Sequence, residues 1–420
     1  MSAEPKKHHS VPQSLLRNFS IRGERRSVFV FDKTSLRSFP SPIVDAGAER
    51  DFYRVDLGSQ ELNFEQFFQR LDDRLAALLV KVVESTSLGE LSEGERYDLA
   101  VVTACQLLRT KLRRTSPVEI ARELSQRLRD QGFESPEDLT DNDSRFISLK
   151  GLLQLEPLAE LLARKDLLLL VSREAALWVS DNPVVLHNTF PYGRAALAAP
   201  GVEIYYPLSA RVCLGFLCPS IREMLAESFD PRHPRPTSTD PLLPRVSKSI
   251  REGTPLEVDS NYPLFLNSLQ IGQSSRFLYS SEDNFDLARE AVSSHPKLRR
   301  IRSLVSVGRM GSAPPPDPRM PLGHWLVVEK EHRHHMLPVE PVDEGSWTID
   351  FTTTDLVKLA LVEQETPFDC VTLYDNGQMM RMIREVEFLH VEQSGRHFVR
   401  VQHSDASMNA LMQQINTDRP

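Results

Sequence analysis

His9, Asp181 and Arg109 are the side chains whose chemistry could combine into a reaction centre. An imidazole or a carboxylate could activate water, and a guanidinium could stabilise the charge that develops on a phosphoester. Such a trio could work with a divalent metal, Mg²⁺ or Mn²⁺, or without one. Gln106, Arg109 and Arg113 recur at i, i+3 and i+7, the spacing that lays three side chains on one helical stripe, beside an apolar stripe of Cys105, Leu108 and Leu112. A polar stripe bordering a buried one can line a cleft, where arginine offers a planar fork to phosphate and glutamine reads an amide or base edge. The alternative is a structural ion pair between Arg109 and Glu65 or Asp72 of a neighbouring helix.

His8 and His9 are adjacent, so a strand would point them to opposite faces and they could not easily share one metal. Ser180-Asp181-Asn182-Pro183 interrupts an apolar run, with Trp178 and Val179 before it and Val184 to Leu186 after it. It reads either as a turn in which Asp181 and Asn182 bond nearby backbone, or as a carboxylate delivered to a sheet edge as metal ligand or general base, positioned by Asn182. The sequence carries no Gly-x-Ser-x-Gly, Walker loop, His-Glu-x-x-His or Gly-x-Gly-x-x-Gly. Cys213 and Cys218 lack a second pair at zinc spacing, and Glu331-His332-Arg333-His334-His335 reads as a solvated turn.

Fifty Lys and Arg against 58 Asp and Glu give a net charge of −8 over 420 residues. That excludes a protein that coats nucleic acid by bulk attraction and leaves a local patch as the polyanion site. The run Arg109 to Arg114 is the candidate patch, although basic residues closing a helix also complement its macrodipole. No apolar run is long enough for a membrane span, and the charged start is no secretory signal. Four cysteines are too few for a disulfide framework, which points to the cytoplasm.

These residues must be held by a scaffold, and its elements are predicted from periodicity. A short lead spans residues 11–19, and the β-branched and aromatic Ser27 to Asp32 follows a Gly23-Glu24 turn as part of a hairpin. From Phe64 to Val82 apolar residues recur with helical spacing, and a second helix is expected from Glu95 to Arg113. Ser116-Pro117 and Ser135-Pro136 look like further helix starts, and Phe146 to Leu162 is leucine-rich helix. Residues 60–164 therefore form a helical layer. Residues 165–218 read as sheet, with Leu167 to Val171 and Ala176 to Leu186 as a hairpin or adjacent strands, then strands at Glu203 to Leu208 and Arg211 to Leu217. The prolines of 230–263 predict an exposed loop, with helices after it at Leu264 to Ile271 and Asn284 to Val292. The proline-rich stretch 308–322 reads as a linker after a first domain of residues 1–307. Residues 323–420 read as a small α+β domain, a possible site for a protein partner, with a helix at Thr354 to Val362 and a turn at Asp375-Asn376-Gly377. The fold class is α+β, a helical layer packed on a mixed or antiparallel sheet.

Five stretches occur in order: Lys7-His8-His9-Ser10-Val11-Pro12-Gln13-Ser14-Leu15-Leu16-Arg17-Asn18-Phe19, Val28-Phe-Val-Phe-Asp32-Lys33, Glu49-Arg-Asp51-Phe52-Tyr53, Gln106-Leu-Leu-Arg109-Thr110 and Ser180-Asp181-Asn182-Pro183. Taken together they resemble the DUF4238 family, a bacterial domain of unknown function, over residues 6–300. The resemblance implies no activity. It groups His9, Asp32, Tyr53, Gln106, Arg109, Asp181 and Asn182, with Arg113 as a neighbour, and it matches the family's acidic pair to Glu65 and Asp72. Where the family usually has proline after the Gln-x-x-Arg-Thr stretch, Lys111 stands here, so the helix need not stop and the family's arginine could match Arg113 or Arg114. Two functions fit: a phosphoester hydrolase acting on nucleic acid or nucleotide, and a non-catalytic ligand- or partner-binding regulatory module of a bacterial stress or phage response. Both require His9, Gln106, Arg109 and Asp181 to converge.

Overall fold

Apolar residues spaced three and four apart between Phe64 and Val82 bury one face of a helix that runs from Glu65 to Ser85 in the computed structural model of the chain. The structure describes residues 7–21, 25–50, 52–56, 61–130, 139–188, 197–199, 201–228, 242–259, 261–303, 323–330, 333–343, 346–350, 370–376, 378–383, 386–393 and 396–403. The chain divides into two compact units, one of residues 1–187, 203–217 and 222–307, the other of 188–202, 218–221 and 308–420.

The first unit opens with β1 (Lys7–His9), α1 (Gln13–Arg17), β2 (Ser27–Asp32), β3 (Arg37–Pro42), β4 (Ala48–Arg50), β5 (Arg54–Asp56) and β6 (Glu61–Asn63). β2 forms its hairpin with β3 through residues 33–36. The helical layer follows: α2 (Glu65–Ser85), α3 (Glu93–Leu108), α4 (Lys111–Asp130), α5 (Asp141–Lys150), a 3-10 turn at Gly151–Gln154 and α6 (Leu155–Ala163). α3 starts on a capping box, Ser92 accepting from the Glu95 amide while the Glu95 carboxylate accepts from the Ser92 amide.

Two expected helix boundaries move. α3 ends at Leu108, and α4 begins at Lys111 with the Thr110 hydroxyl accepting from the Arg113 amide at 3.3 Å. A threonine cap therefore breaks the chain without glycine or proline, and Arg113 lies on a different helix from Gln106. Pro117 does not start a helix but sits inside α4. The start expected at Ser135-Pro136 lies outside the described residues, and α5 begins instead after a Thr140 cap.

Sheet strands come next: β7 (Asp166–Ser172), β8 (Val179–Ser180), β9 (Val185–Asn188), β10 (Val202–Pro207) and β11 (Val212–Leu217). Then come α7 (Pro219–Ser228), α8 (Leu242–Glu252), β12 (Leu256–Val258), α9 (Asn261–Gln273), β13 (Phe277–Ser280) and α10 (Asp286–Ser294). The loop expected over 230–263 is corrected in its second half, where α8, β12 and the start of α9 occur. Pro244 and Pro263 each take the third helical position, in the first turn, where a backbone amide has no intrahelical partner to lose.

A five-stranded sheet has the order β12-β7-β11-β10-β9 and a four-stranded sheet the order β3-β2-β13-β8, beside the two-stranded pairs β1-β4 and β5-β6. β7 pairs antiparallel with β11 and parallel with β12, so the first sheet is mixed. The stretch 167–186 is not a hairpin. β8 pairs with β13 in the second sheet, and the Ser-Asp-Asn-Pro segment carries the chain between sheets. Every residue of β10 and β11 is buried, as befits inner strands. The α+β architecture thus keeps α2 to α6 as one helical run, while α7 to α10 are interleaved with β12 and β13.

In the second unit β14 (His324–Lys330), β15 (Arg333–Pro338), β16 (Glu340–Asp343), β17 (Ser346–Asp350), β18 (Cys370–Asp375), β19 (Gln378–Ile383), β20 (Val386–Gln393) and β21 (Arg396–His403) form two four-stranded sheets, β15-β14-β18-β19 and β16-β17-β21-β20. Asn376, with φ at 45°, turns β18 into β19. Arg333, His334 and His335 lie on a strand rather than in the expected turn. The linker 308–322 and the helix expected at 354–362 lie outside the described residues.

Candidate functional site

β1 pairs antiparallel with β4, setting His8 opposite Glu49 and His9 opposite Ala48. The strand alternation turns the two imidazoles to different surroundings. His8 is fully buried, and its Nδ1 accepts from the Tyr53 amide at 2.9 Å. His9 instead faces a cleft of about 230 Å³ lined by Gln13, Tyr53, Glu65, Gln69 and Asp72 among others. The α2 contributions fall at i, i+4 and i+7, which is one helical face.

Hydrogen bonds order the cleft. Gln13 Nε2 lies 2.9 Å from His9 Nε2, so an amide donor makes that ring nitrogen the acceptor of a neutral imidazole. The Tyr53 hydroxyl donates to the His9 carbonyl at 2.7 Å, and its ring stacks on Phe68 with centroids 4.0 Å apart. Behind Phe68, Arg109 is 4 % exposed and sits 2.6 Å from Asp72 Oδ1. Its Nε donates to Gln106 Oε1 at 2.9 Å, and Gln106 Nε2 donates to the Ser10 carbonyl at 2.9 Å. A chain of contacts therefore runs from Asp72 to the backbone beside His9.

Burial raises both carboxyls of the cleft above their ordinary values. Burial, with Asp72 beside it, raises the Glu65 carboxyl above its ordinary value, and Arg109 partly offsets this. Burial also raises Asp72, while the Arg109 guanidinium pulls it back. Glu65 Oε2 is buried, makes no hydrogen bond and lies 3.8 Å from His8 Nε2. Such groups can hold and release a proton near a bound substrate. Among the described residues no group of three or more His, Cys, Asp or Glu side chains is set to hold a metal ion.

The eight residues singled out in the sequence do not all converge. His9 and Tyr53 line the cleft, and Gln106 and Arg109 back it. Asp181 serves elsewhere: its carboxylate accepts from the amides of Ser275, Arg276 and Phe277 at 2.7, 2.8 and 3.0 Å. Fully occupied by backbone donors, it ties the turn before β13 to the end of β8. Asp32 takes a two-point ion pair from Arg276, at 2.8 Å to Nε and 2.7 Å to Nη2, and accepts from the Thr34 amide. The neighbouring Lys33 is buried and donates to the carbonyls of Ile271 and Ser274, each at 2.8 Å. Asn182 donates to the Gln273 carbonyl at 3.0 Å and shares with Arg113 a separate cleft of about 290 Å³.

Gln13, Gln69 and Tyr206 escaped the sequence reading. Gln13 stands four residues after His9, and Gln69 four after Glu65 on the α2 face, both visible spacings. Tyr206, from the inner strand β10, has a buried hydroxyl without a hydrogen-bond partner and is raised above its ordinary value by burial, Arg109 lowering it. No local signal ties it to Arg109, because strand and helix meet only in the fold.

A family model described as a protein of unknown function, DUF4238, matches residues 7–284. That span holds every residue of the cleft. No curated protein matches the chain. No solved structure matches it either. Among the described residues no helix is long and apolar enough to cross a membrane.

Proposed function

We propose that this chain, which belongs to the DUF4238 family, is a hydrolase of phosphoesters of the nucleotide or nucleic-acid class, with the His9 cleft as its reaction centre. The carrying observation is that His9, Glu65 and Asp72 line one small cleft, where Glu65 and Asp72 supply the carboxyl expected of Asp181, itself held by backbone amides elsewhere. In this reading the attacking water displaces the Gln13 amide from His9 Nε2 and gives its proton to that nitrogen. Glu65, its carboxyl raised by burial, returns a proton to the leaving oxygen. Arg109 keeps Asp72 ionised and in place.

With Glu65, Asp72 and Asp73 on its walls the cleft is acidic, and the Arg109 guanidinium is engaged by Asp72 and Gln106. Arg17 is the cation on the same wall, so an entering phosphate meets one guanidinium against three carboxyls and gains from a further counter-charge. A divalent cation, Mg²⁺ or Mn²⁺, arriving with the substrate would supply it, with carboxylate oxygens on hand as hard ligands. A bacterial, cytoplasmic setting belongs to the same reading, supported by Cys105, Cys213 and Cys218 being buried free thiols.

The engagement of Arg109 also favours a second reading, a non-catalytic module whose cleft recognises a ligand or partner. Turnover separates the two. The full chain, incubated with single- and double-stranded DNA, RNA and nucleotides in Mg²⁺ or Mn²⁺, should release product from one class, and Glu65→Gln should abolish it. A panel untouched by the wild-type chain would favour the binding module.

A further inference from the structure

An apolar groove of about 750 Å³ lies between α2, α3, α5 and α6, with Phe67, Phe146, Leu149, Leu152 and Leu153 among its walls. Leu153 is 73 % exposed and Phe146 46 % exposed. Large apolar side chains gathered in water mark a binding surface, and the volume is that of a small-molecule site. Lys150 and Glu156 are its charged wall residues.

Leu149 and Leu152 also line a second, much smaller cavity of about 20 Å³, room for one water-sized atom. Its other walls include Arg109, Arg114, Arg145 and Ser148. Arg114 is 6 % exposed, and its Nη2 reaches Glu49 at 2.6 Å. Its Nε and Nη1 are buried without a hydrogen-bond partner, as is the Ser148 hydroxyl. Buried donors left unsatisfied are rare and costly, so an acceptor belongs beside them.

We propose that this groove binds a long-chain carboxylate, its hydrocarbon along the apolar walls and one carboxylate oxygen in the arginine-lined cavity. The small cavity admits a single oxygen, which favours a carboxylate over the three terminal oxygens of a phosphate. Leu149 and Leu152 line both spaces, which sets the groove and the cavity side by side. The cavity shares Tyr53 and Phe68 with the His9 cleft, but its occupancy is read by binding and does not depend on turnover.

Calorimetric titration of the full chain tests it, using laurate below its micellar concentration, with dodecyl phosphate, dodecyltrimethylammonium and acetate as comparators. Laurate should bind at one site per chain and the three comparators far more weakly. Leu153→Glu, at an exposed position, should weaken laurate by about tenfold or more, and Arg114→Met should do the same by removing the head-group donors. Should Arg114→Met fail to fold, Ser148→Ala takes its place, with a smaller loss expected. Equal binding of the anionic and cationic amphiphiles would overturn the proposal, as would tighter binding of the phosphate or laurate affinity unchanged in Leu153→Glu. So would a wild-type dimer that Leu153→Glu splits while laurate does not bind, because the groove would then hold a second copy of the chain.

Discussion

Asp72 on α2 and Arg109 at the end of α3 form an ion pair of 2.6 Å, with the Arg109 side chain 2 % and that of Asp72 21 % exposed. The pair locks two helices together and fixes the back wall of the cleft that His9 faces. Two charges out of water hold each other only while both are present.

Removing one partner should therefore cost more than removing both. Arg109→Met leaves a lone carboxylate and strips the Gln106 Oε1 of its donor, and should destabilise the chain by about 3–5 kcal/mol. The double variant Arg109→Met with Asp72→Leu should recover much of that loss. Urea denaturation of the four species closes the cycle, and simple additivity would contradict a coupled pair.

Asp181 is expected to behave as a structural residue. Alanine there strands three backbone amides and the charge partner of Lys33, so Asp181→Ala should lower stability by about 3 kcal/mol or more. Thermal unfolding with the variant checks this. A variant that melts with the wild type would argue against the anchoring role.

Lys33 gives the stability a pH dependence of known sign. Burial lowers its amine from 10.5 to about 8, Asp181 opposing the shift. Between those values the unfolded chain binds the proton more tightly. The contribution of Lys33 is thus fully present above pH 10.5 and is lost as pH falls towards 8. The difference in unfolding free energy between wild type and Lys33→Met should grow with pH across that window, by about 3 kcal/mol in total. A difference that stays flat or shrinks would contradict it.

Much of the site was legible because its spacings are local. Gln106 and Arg109 sit one turn apart on α3, and Glu65 and Asp72 two turns apart on α2. The pairing of Arg109 with Asp72 was one of the two readings their types allowed. Asp181 was not legible, because the amides that occupy it belong to Ser275, Arg276 and Phe277, more than ninety residues away in sequence. The end of α3 was missed since a hydroxyl cap at Thr110, not glycine or proline, makes it. α8 was missed because Pro244 falls in the first turn, where proline costs no hydrogen bond.

If Glu65 is the proton donor, activity should fall on the alkaline side as its raised carboxyl ionises. A pH–rate profile should show that limb in the wild type. Glu65→Asp should keep the limb at reduced rate. An alkaline limb that persists at full rate in Glu65→Gln would assign the proton to another group.

The most direct test of the reaction centre compares His9→Gln with Asn182→Ala, a residue of the other cleft, for turnover of whichever phosphoester the full chain cleaves. The account predicts that His9→Gln abolishes cleavage with the fold intact, while Asn182→Ala keeps the wild-type rate. Cleavage that survives in His9→Gln and disappears in folded Asn182→Ala would place the chemistry in the Arg113 cleft instead.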